Sequence, residues 1–158
     1  MQHLERKQFI PVTLNEAWAF FSDPGNLSRI TPPDMGFKIT TPVFNGPVYP
    51  GMIIAYIVKP LFSIPVRWVT EITHAEHLEY FIDDQRVGPY KLWHHQHFFK
   101  EVGGGVEMID IVHYQAPFGI FGRLAEWLFI NNKVKSIFDY RNRVLSDIFP
   151  GGANQISI

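Results

Sequence analysis

Two histidines and one acid carry most of the chemistry this chain offers. His95 and His97 lie in the run Lys91-Leu92-Trp93-His94-His95-Gln96-His97-Phe98-Phe99-Lys100, and Asp110 is the lone acid inside the apolar run Val106–Ala116. Both runs read as strands, and the triplet Gly103-Gly104-Gly105 between them predicts a tight turn. Residues two apart on a strand point the same way, so His95 and His97 share a face. If Lys100 pairs with Glu107, His97 falls opposite Asp110, His95 opposite Val112, Trp93 opposite Tyr114 and Phe99 opposite Met108. A slip of one residue would move the acid away from the imidazoles. The first register also gives Lys100 an acidic partner, and it is the one expected. Apolar residues occur on both faces, so periodicity does not decide between them. The face bearing Trp93, His95, His97, Asp110 and Tyr114 is assigned to the interior, and His94 and His113 to the opposite side.

An aspartate beside an imidazole fixes its tautomer and favours its charged form. Three uses of such a pair remain open: a structural tie between strands, a polar anchor for a ligand carbonyl or hydroxyl, and a general acid–base pair. No activated nucleophile accompanies it. The chain has no cysteine, and neither Ser63 nor Ser136 has an acid–histidine partner implied by spacing. His95, His97 and Asp110 could ligate a metal. His-x-His on a strand is common without one, so neither metal nor cofactor is expected. His3, His74 and His77 read as surface residues. Trp68 and Arg86 lie on predicted strands, and Arg141 follows Phe138 by one helical turn. A buried arginine needs a partner, so an inward arginine would hold a ligand carboxylate or phosphate. For Arg67 an outward ion pair is expected. Arg141 could reach Asp83 or Asp110, or extend to solvent.

The elements that must position these groups follow in order. Residues 2–10 alternate and predict a first strand ended by Pro11. Thr13-Leu14-Asn15-Glu16 is a capping box opening a short helix. Asp23 as N-cap and Pro24 at the first helical position open a second, which ends before Pro32-Pro33. Six further strands are predicted at 37–44, 52–58, 63–73, 78–84, 90–101 and 106–116, joined by short Gly- and Pro-rich connections that make antiparallel neighbours. Residues 123–149 predict one long helix with apolar positions at Leu124, Leu128, Val134, Phe138 and Leu145 and a weak point at Asn131-Asn132. The expected architecture is α+β: a curved antiparallel sheet of about seven strands, two short N-terminal helices, and a C-terminal helix over the concave face. Residues 1–150 would form one domain, with 151–158 a tail.

Composition narrows the function. The chain is 46% hydrophobic and 18% charged, which suits a packed globule rather than a disordered segment. Fourteen phenylalanines call for a large interior or an apolar cavity to line. A net charge of −1 gives no footprint for nucleic acid. No apolar run reaches the roughly 18 residues of a membrane span, and no apolar segment follows Met1–Arg6 as in a signal peptide. A cytoplasmic location is expected.

The element order resembles the START-like, or SRPBCC, superfamily, whose helix-grip fold is shared by lipid-transfer START domains, polyketide cyclases and pollen-allergen-type ligand binders. The resemblance covers residues 2–149. A finer pattern is similar to a bacterial ligand-binding branch related to polyketide cyclase/dehydratases. It comprises Ser22-Asp23-Pro24, Thr31-Pro32, Asp83, Gly88-Pro89-Tyr90, Trp93-x-His95-x-His97-x-Phe99, Asp110, Tyr114, Pro117, Gly119, Gly122 and Phe138-x-Tyr140-Arg141. It implies a cavity between sheet and C-terminal helix for a small hydrophobic ligand, lipid-like, polyketide-like or aromatic. The expected contacts are Trp68, Arg86, Trp93, His95, His97, Asp110, Tyr114, Phe138 and Arg141. The alternative is a cofactor-independent cyclase or dehydratase, a lyase or isomerase, with His95, His97 and Asp110 moving a proton. A second alternative is a protein-interaction module. Ligand identity and oligomeric state are not legible in the residues.

Overall fold

A computed structural model describes residues 1–42, 46–60, 63–117 and 119–151, with the backbone alone for residues 122–123 and 125–127. Val43 and Phe44 of the second predicted strand, the aromatic Phe62, the predicted break at Phe118 and the tail from Gly152 lie outside the described residues.

Seven strands form one antiparallel sheet. They are β1 (Gln2–Ile10), β2 (Lys38–Ile39), β3 (Ile53–Val58), β4 (Val66–Glu76), β5 (Tyr80–Val87), β6 (Leu92–Val102) and β7 (Gly105–Gln115), in the order β1-β7-β6-β5-β4-β3-β2. After β1 come helix α1 (Leu14–Phe21) and a 3₁₀ helix, Pro24–Ile30. Thr13 caps α1 and Glu16 reaches back to the Thr13 backbone, while Asp23 caps the 3₁₀ helix with Pro24 behind it, as the capping residues predict. A single 3₁₀ turn, Pro33–Met35, was not anticipated.

Two predicted elements are corrected. Among the described residues of the strand predicted at 37–44, only Lys38–Ile39 pair in the ladder, and the amides of Thr40 and Thr41 both donate to the Ala55 carbonyl, which ends the regular pairing there. The single helix at 123–149 starts earlier and is interrupted: α2 (Gly119–Ala125), a π-helical turn (Glu126–Ile130) and α3 (Asn131–Ile148). The joint falls at the weak point Asn131. Its side chain accepts a 3.0 Å hydrogen bond from the Tyr114 hydroxyl, tying the start of α3 to β7.

The core lies between the concave sheet face, α1 and α3. Val134, Phe138 and Leu145 of α3 are buried, whereas Leu124 and Leu128, predicted for the same apolar stripe, are exposed. The wider π turn breaks the spacing of three and four that would have kept them on one face. No helix among the described residues is long and apolar enough to cross a membrane.

The β6–β7 hairpin fixes the register of the site. Val102 pairs with Gly105, leaving Gly103 and Gly104 as the loop, with Gly104 at φ +84°. Gly105 is required for a different reason. A Cβ there would run into the Ile10 carbonyl oxygen and the Phe9 ring, since β1 lies directly against this end of β7.

Candidate functional site

Strand β6 is flanked by an acid on each neighbour. His97 pairs with Asp110 on β7, and His95 pairs with Asp83 on β5. The pairs Lys100–Glu107, Phe99–Met108, His95–Val112 and Trp93–Tyr114 also form, so the expected register is the observed one. Alternation sends His95, His97 and Phe99 into the core with Trp93 packed against it, and places His94 on the outer face, bonded to Asp84 at 2.6 Å. His3, His74 and His77 are exposed, as expected, and so is Arg67.

The four groups form a closed ring. Asp110 Oδ1 lies 3.0 Å from His95 Nε2 and 2.9 Å from His97 Nδ1. Asp83 Oδ2 lies 2.9 Å from His97 Nε2 and 3.5 Å from His95 Nδ1. The His95–Asp110 and His97–Asp83 contacts are hydrogen bonds, while the His97 Nδ1 contact is off the N–H axis and is ionic in character. The imidazole centres are 3.8 Å apart, and the Phe81 ring stacks on His97 at 4.1 Å. Arg141 of α3 completes the group, with Nη1 3.7 Å from Asp110 Oδ1 and its guanidinium 4.9 Å from the Phe138 ring centre.

His95, His97, Asp110 and Arg141 are all more than nine-tenths buried, which makes a net charge costly. Two carboxylates and one guanidinium leave one negative charge, so a single imidazolium neutralises the group. Burial opposes charge on His97, but its close contacts with the Asp110 and Asp83 carboxylates outweigh it and raise its pKa. Burial and the neighbouring His97 push His95 the other way. Burial alone would raise Asp110, yet its close contacts with the two histidines, with the charges of His97 and Arg141, hold it far below the usual carboxylate range. Asp83 is likewise held low against the effect of burial by the imidazoles and Arg141.

This group stands at the wall of a cavity of about 160 Å³ between the sheet and α3. Ile54, Val58, Trp68, Ile72, Phe81 and Phe138 make most of its wall apolar. Three polar side chains of the wall are paired with one another: Trp68 Nε1 donates to Thr70 Oγ1 at 3.1 Å, and the Tyr56 and Thr70 hydroxyls share a second bond of 3.1 Å. Burial raises the Tyr56 pKa, so its hydroxyl stays neutral. Pro24, Asn26, Leu27 and Thr31 line the cavity and are partly exposed, which puts its mouth beside the 3₁₀ helix.

Of the residues singled out in the sequence, Trp68, Trp93, His95, His97, Phe138 and Arg141 line the cavity. Asp110 stands behind the histidines, outside the lining. Two more of the expected contacts, Tyr114 and Arg86, also lie outside the lining. Tyr114 is buried beside Trp93 with its hydroxyl given to Asn131, and it is not part of the cavity wall. Arg86 is exposed, and its Nε donates to Glu71 Oε2 at 2.5 Å, so its guanidinium is engaged outside the cavity. Asp83 was left out of the expected site. Its parity with Phe81 on β5 points to the same face. The β5–β6 register that sets it beside His95, however, depends on the irregular turn 88–91, held by Gln85 bonding both the amide and the carbonyl of Tyr90.

No protein-family model matches the chain, and no curated protein matches it. Solved structures do. Protein CV1439 from Chromobacterium violaceum aligns at TM-score 0.69 and 10% identity over 95% of this chain and 98% of its own. A protein from Arthrobacter aurescens aligns at 0.68 and 16% identity, over 92% and 86% of the two chains. Ara h 8.0201 aligns at 0.60 and 13% identity, over 92% and 98%. At these identities the likeness shows the fold alone, a helix-grip arrangement of curved antiparallel sheet and C-terminal helix.

Proposed function

We propose that this chain is a START-like binder of a small hydrophobic molecule, with residues 1–150 acting as one cytoplasmic binding domain. The observation that carries the reading is the largely apolar cavity of about 160 Å³ with a buried cluster of charged and imidazole groups in its wall. A dry engineered cavity of about 150 Å³ takes up benzene, so the available space suits a compact aromatic or polycyclic compound better than a two-chain lipid. The apolar body would lie against Trp68, Trp93 and Phe138. A carbonyl or hydroxyl would meet His95, His97 or Arg141, whose Nε has no protein partner among the described residues.

The test is native mass spectrometry of purified protein with solvent extraction, followed by displacement of a fluorescent naphthalene dye by a panel of aromatic and polyketide-like compounds. One dye per chain, displaced by a ring compound, is expected. Failure of the entire panel to bind would overturn the reading.

The ring of His95, His97, Asp83 and Asp110 favours a second reading, a cyclase- or dehydratase-type proton transfer in the same cavity. In that case His95→Ala and His97→Ala would abolish turnover in a protein that remains folded. The exposed side chains Ile120, Phe121, Leu124, Leu128 and Phe129 favour a third, contact with another protein through α2 and the π turn. A pull-down with this segment made polar would show it.

A further inference from the structure

The two imidazoles have distinct fronts and backs. At the back, His95 Nε2 and His97 Nδ1 both approach Asp110 Oδ1, at 3.0 and 2.9 Å. At the front, His95 Nδ1 and His97 Nε2 converge on Asp83 Oδ2, at 3.5 and 2.9 Å, and one donor atom from each of the three residues lies within 4.8 Å of the others. Asp83, His95 and His97 line the cavity, while Asp110 does not. A carboxylate behind an imidazole, receiving its remote N–H, fixes which nitrogen presents a lone pair and raises its basicity. Asp110 Oδ1 does this for His95, and its contact with His97 Nδ1 is ionic.

Spacing and charge point the same way. Metal bonds of about 2.0–2.2 Å to nitrogen and oxygen separate adjacent donors by roughly 3.0–3.5 Å at tetrahedral or octahedral angles. Asp83 Oδ2 sits 2.9 and 3.5 Å from the two front nitrogens. With both imidazoles neutral, Asp83, Asp110 and Arg141 sum to one negative charge in a buried site, which a bound cation can balance in place of the proton on one imidazole. Arg141 lines the cavity beside the group, and its Nη1 lies 3.7 Å from Asp110, whose charge it offsets.

We propose that Asp83, His95 and His97 form a divalent metal site at the cavity wall, with Asp110 as the positioning residue for His95 and a charge behind His97. Two nitrogens and one carboxylate suit a first-row transition ion such as Zn²⁺, Co²⁺ or Fe²⁺ rather than Mg²⁺ or Ca²⁺. The remaining coordination positions face the cavity, where a ligand oxygen could occupy one. The site does not require the hydrophobic-ligand reading, since its three donors come from the protein alone.

The test uses the full chain, stripped with a chelator and titrated with Co²⁺ and with Zn²⁺. One ion per chain is expected, with visible Co²⁺ ligand-field bands and a dissociation constant of about 10 μM or tighter. Asp83→Asn and His97→Ala should each weaken binding at least about tenfold, and Asp110→Asn about tenfold to a hundredfold. Circular dichroism establishes that each variant is folded. Anomalous scattering from a metal-soaked wild-type crystal provides a readout that needs no variant. His3 and His113, whose rings are 5.0 Å apart on the outer face, are the competing site, and the double change His3→Ala/His113→Ala should leave the affinity unchanged. Absence of binding at about 1 mM Co²⁺, loss of binding in the outer-face variant, or an anomalous peak away from His95 and His97 would overturn the proposal.

Discussion

Asp83 and Asp110 hold the same pair of imidazoles from opposite sides, one from β5 and one from β7. Each carboxylate oxygen touches both His95 and His97, at distances between 2.9 and 3.5 Å. The strand between the two acids is therefore locked to both neighbours by side chains as well as by its ladder.

Removing the acid behind the rings should be costly. Asp110→Ala leaves Asp83 as the one carboxylate facing a buried imidazolium and guanidinium, and breaking such a buried pair costs about 3–5 kcal/mol. Asp110→Asn keeps an acceptor for His95 and should cost less. Urea unfolding of the metal-free protein measures both, and equal, negligible changes would show that the ring contributes no stability.

The charge balance assigns the extra proton to His97. In the metal-free protein at pH 7, long-range ¹⁵N NMR should show His97 charged and His95 neutral, and the reverse pattern would reject the assignment. The linkage signs follow from the shifts. Asp110 and Asp83 are depressed, so their contribution is present above the ordinary value near 4 and is lost as pH falls through their folded values. His97 is raised, so its contribution is complete below about 6.5 and is lost as pH rises through its folded value. His95 is depressed and contributes in the opposite sense. The two histidine effects oppose each other, so the urea midpoint should fall chiefly on the acid side, below about pH 4. Asp110→Asn should flatten that fall.

Filling the cavity should separate binding from stability. Ile54 lines the wall and is 6% exposed, so Ile54→Trp places an indole in the space a ligand would use. Dye uptake should drop at least about tenfold while unfolding free energy changes by no more than about 1–3 kcal/mol. Undiminished uptake would move the ligand elsewhere.

Arg86 and Arg141 should behave differently. The exposed Arg86–Glu71 pair is a surface contact, so Arg86→Ala should leave ligand uptake unchanged and alter stability by about 1 kcal/mol or less. Arg141→Ala removes a buried cation in the cavity wall and should impair both. An equal loss of uptake in the two variants would return Arg86 to the site.

Gly105→Ala tests the packing that holds the hairpin in register. The new Cβ would strike the Ile10 carbonyl and the Phe9 ring, so a loss of about 1–3 kcal/mol is expected by urea unfolding. Gly103→Ala, where a Cβ meets nothing within 4 Å, is the control.

Much of this molecule was legible in local pattern. The capping residues Thr13, Glu16 and Asp23 mark the starts of their helices because capping is a contact over two or three residues. Strand parity separated His94 from His95 and His97, and the glycine triplet aligned His97 with Asp110, because a tight hairpin transmits register through its turn. What local pattern could not supply was any relation routed through irregular backbone or across the sheet. Asp83 reached the site through the irregular turn 88–91. Tyr114 was drawn away by Asn131 at a helix joint. Arg86 found Glu71 on the neighbouring strand β4. Alternation and capping are properties of neighbouring residues, and the sequence contains them in full. Which acids close around the two histidines, and which arginine faces them, depends on how β5, β7 and α3 pack around β6, and only the tertiary structure decides that.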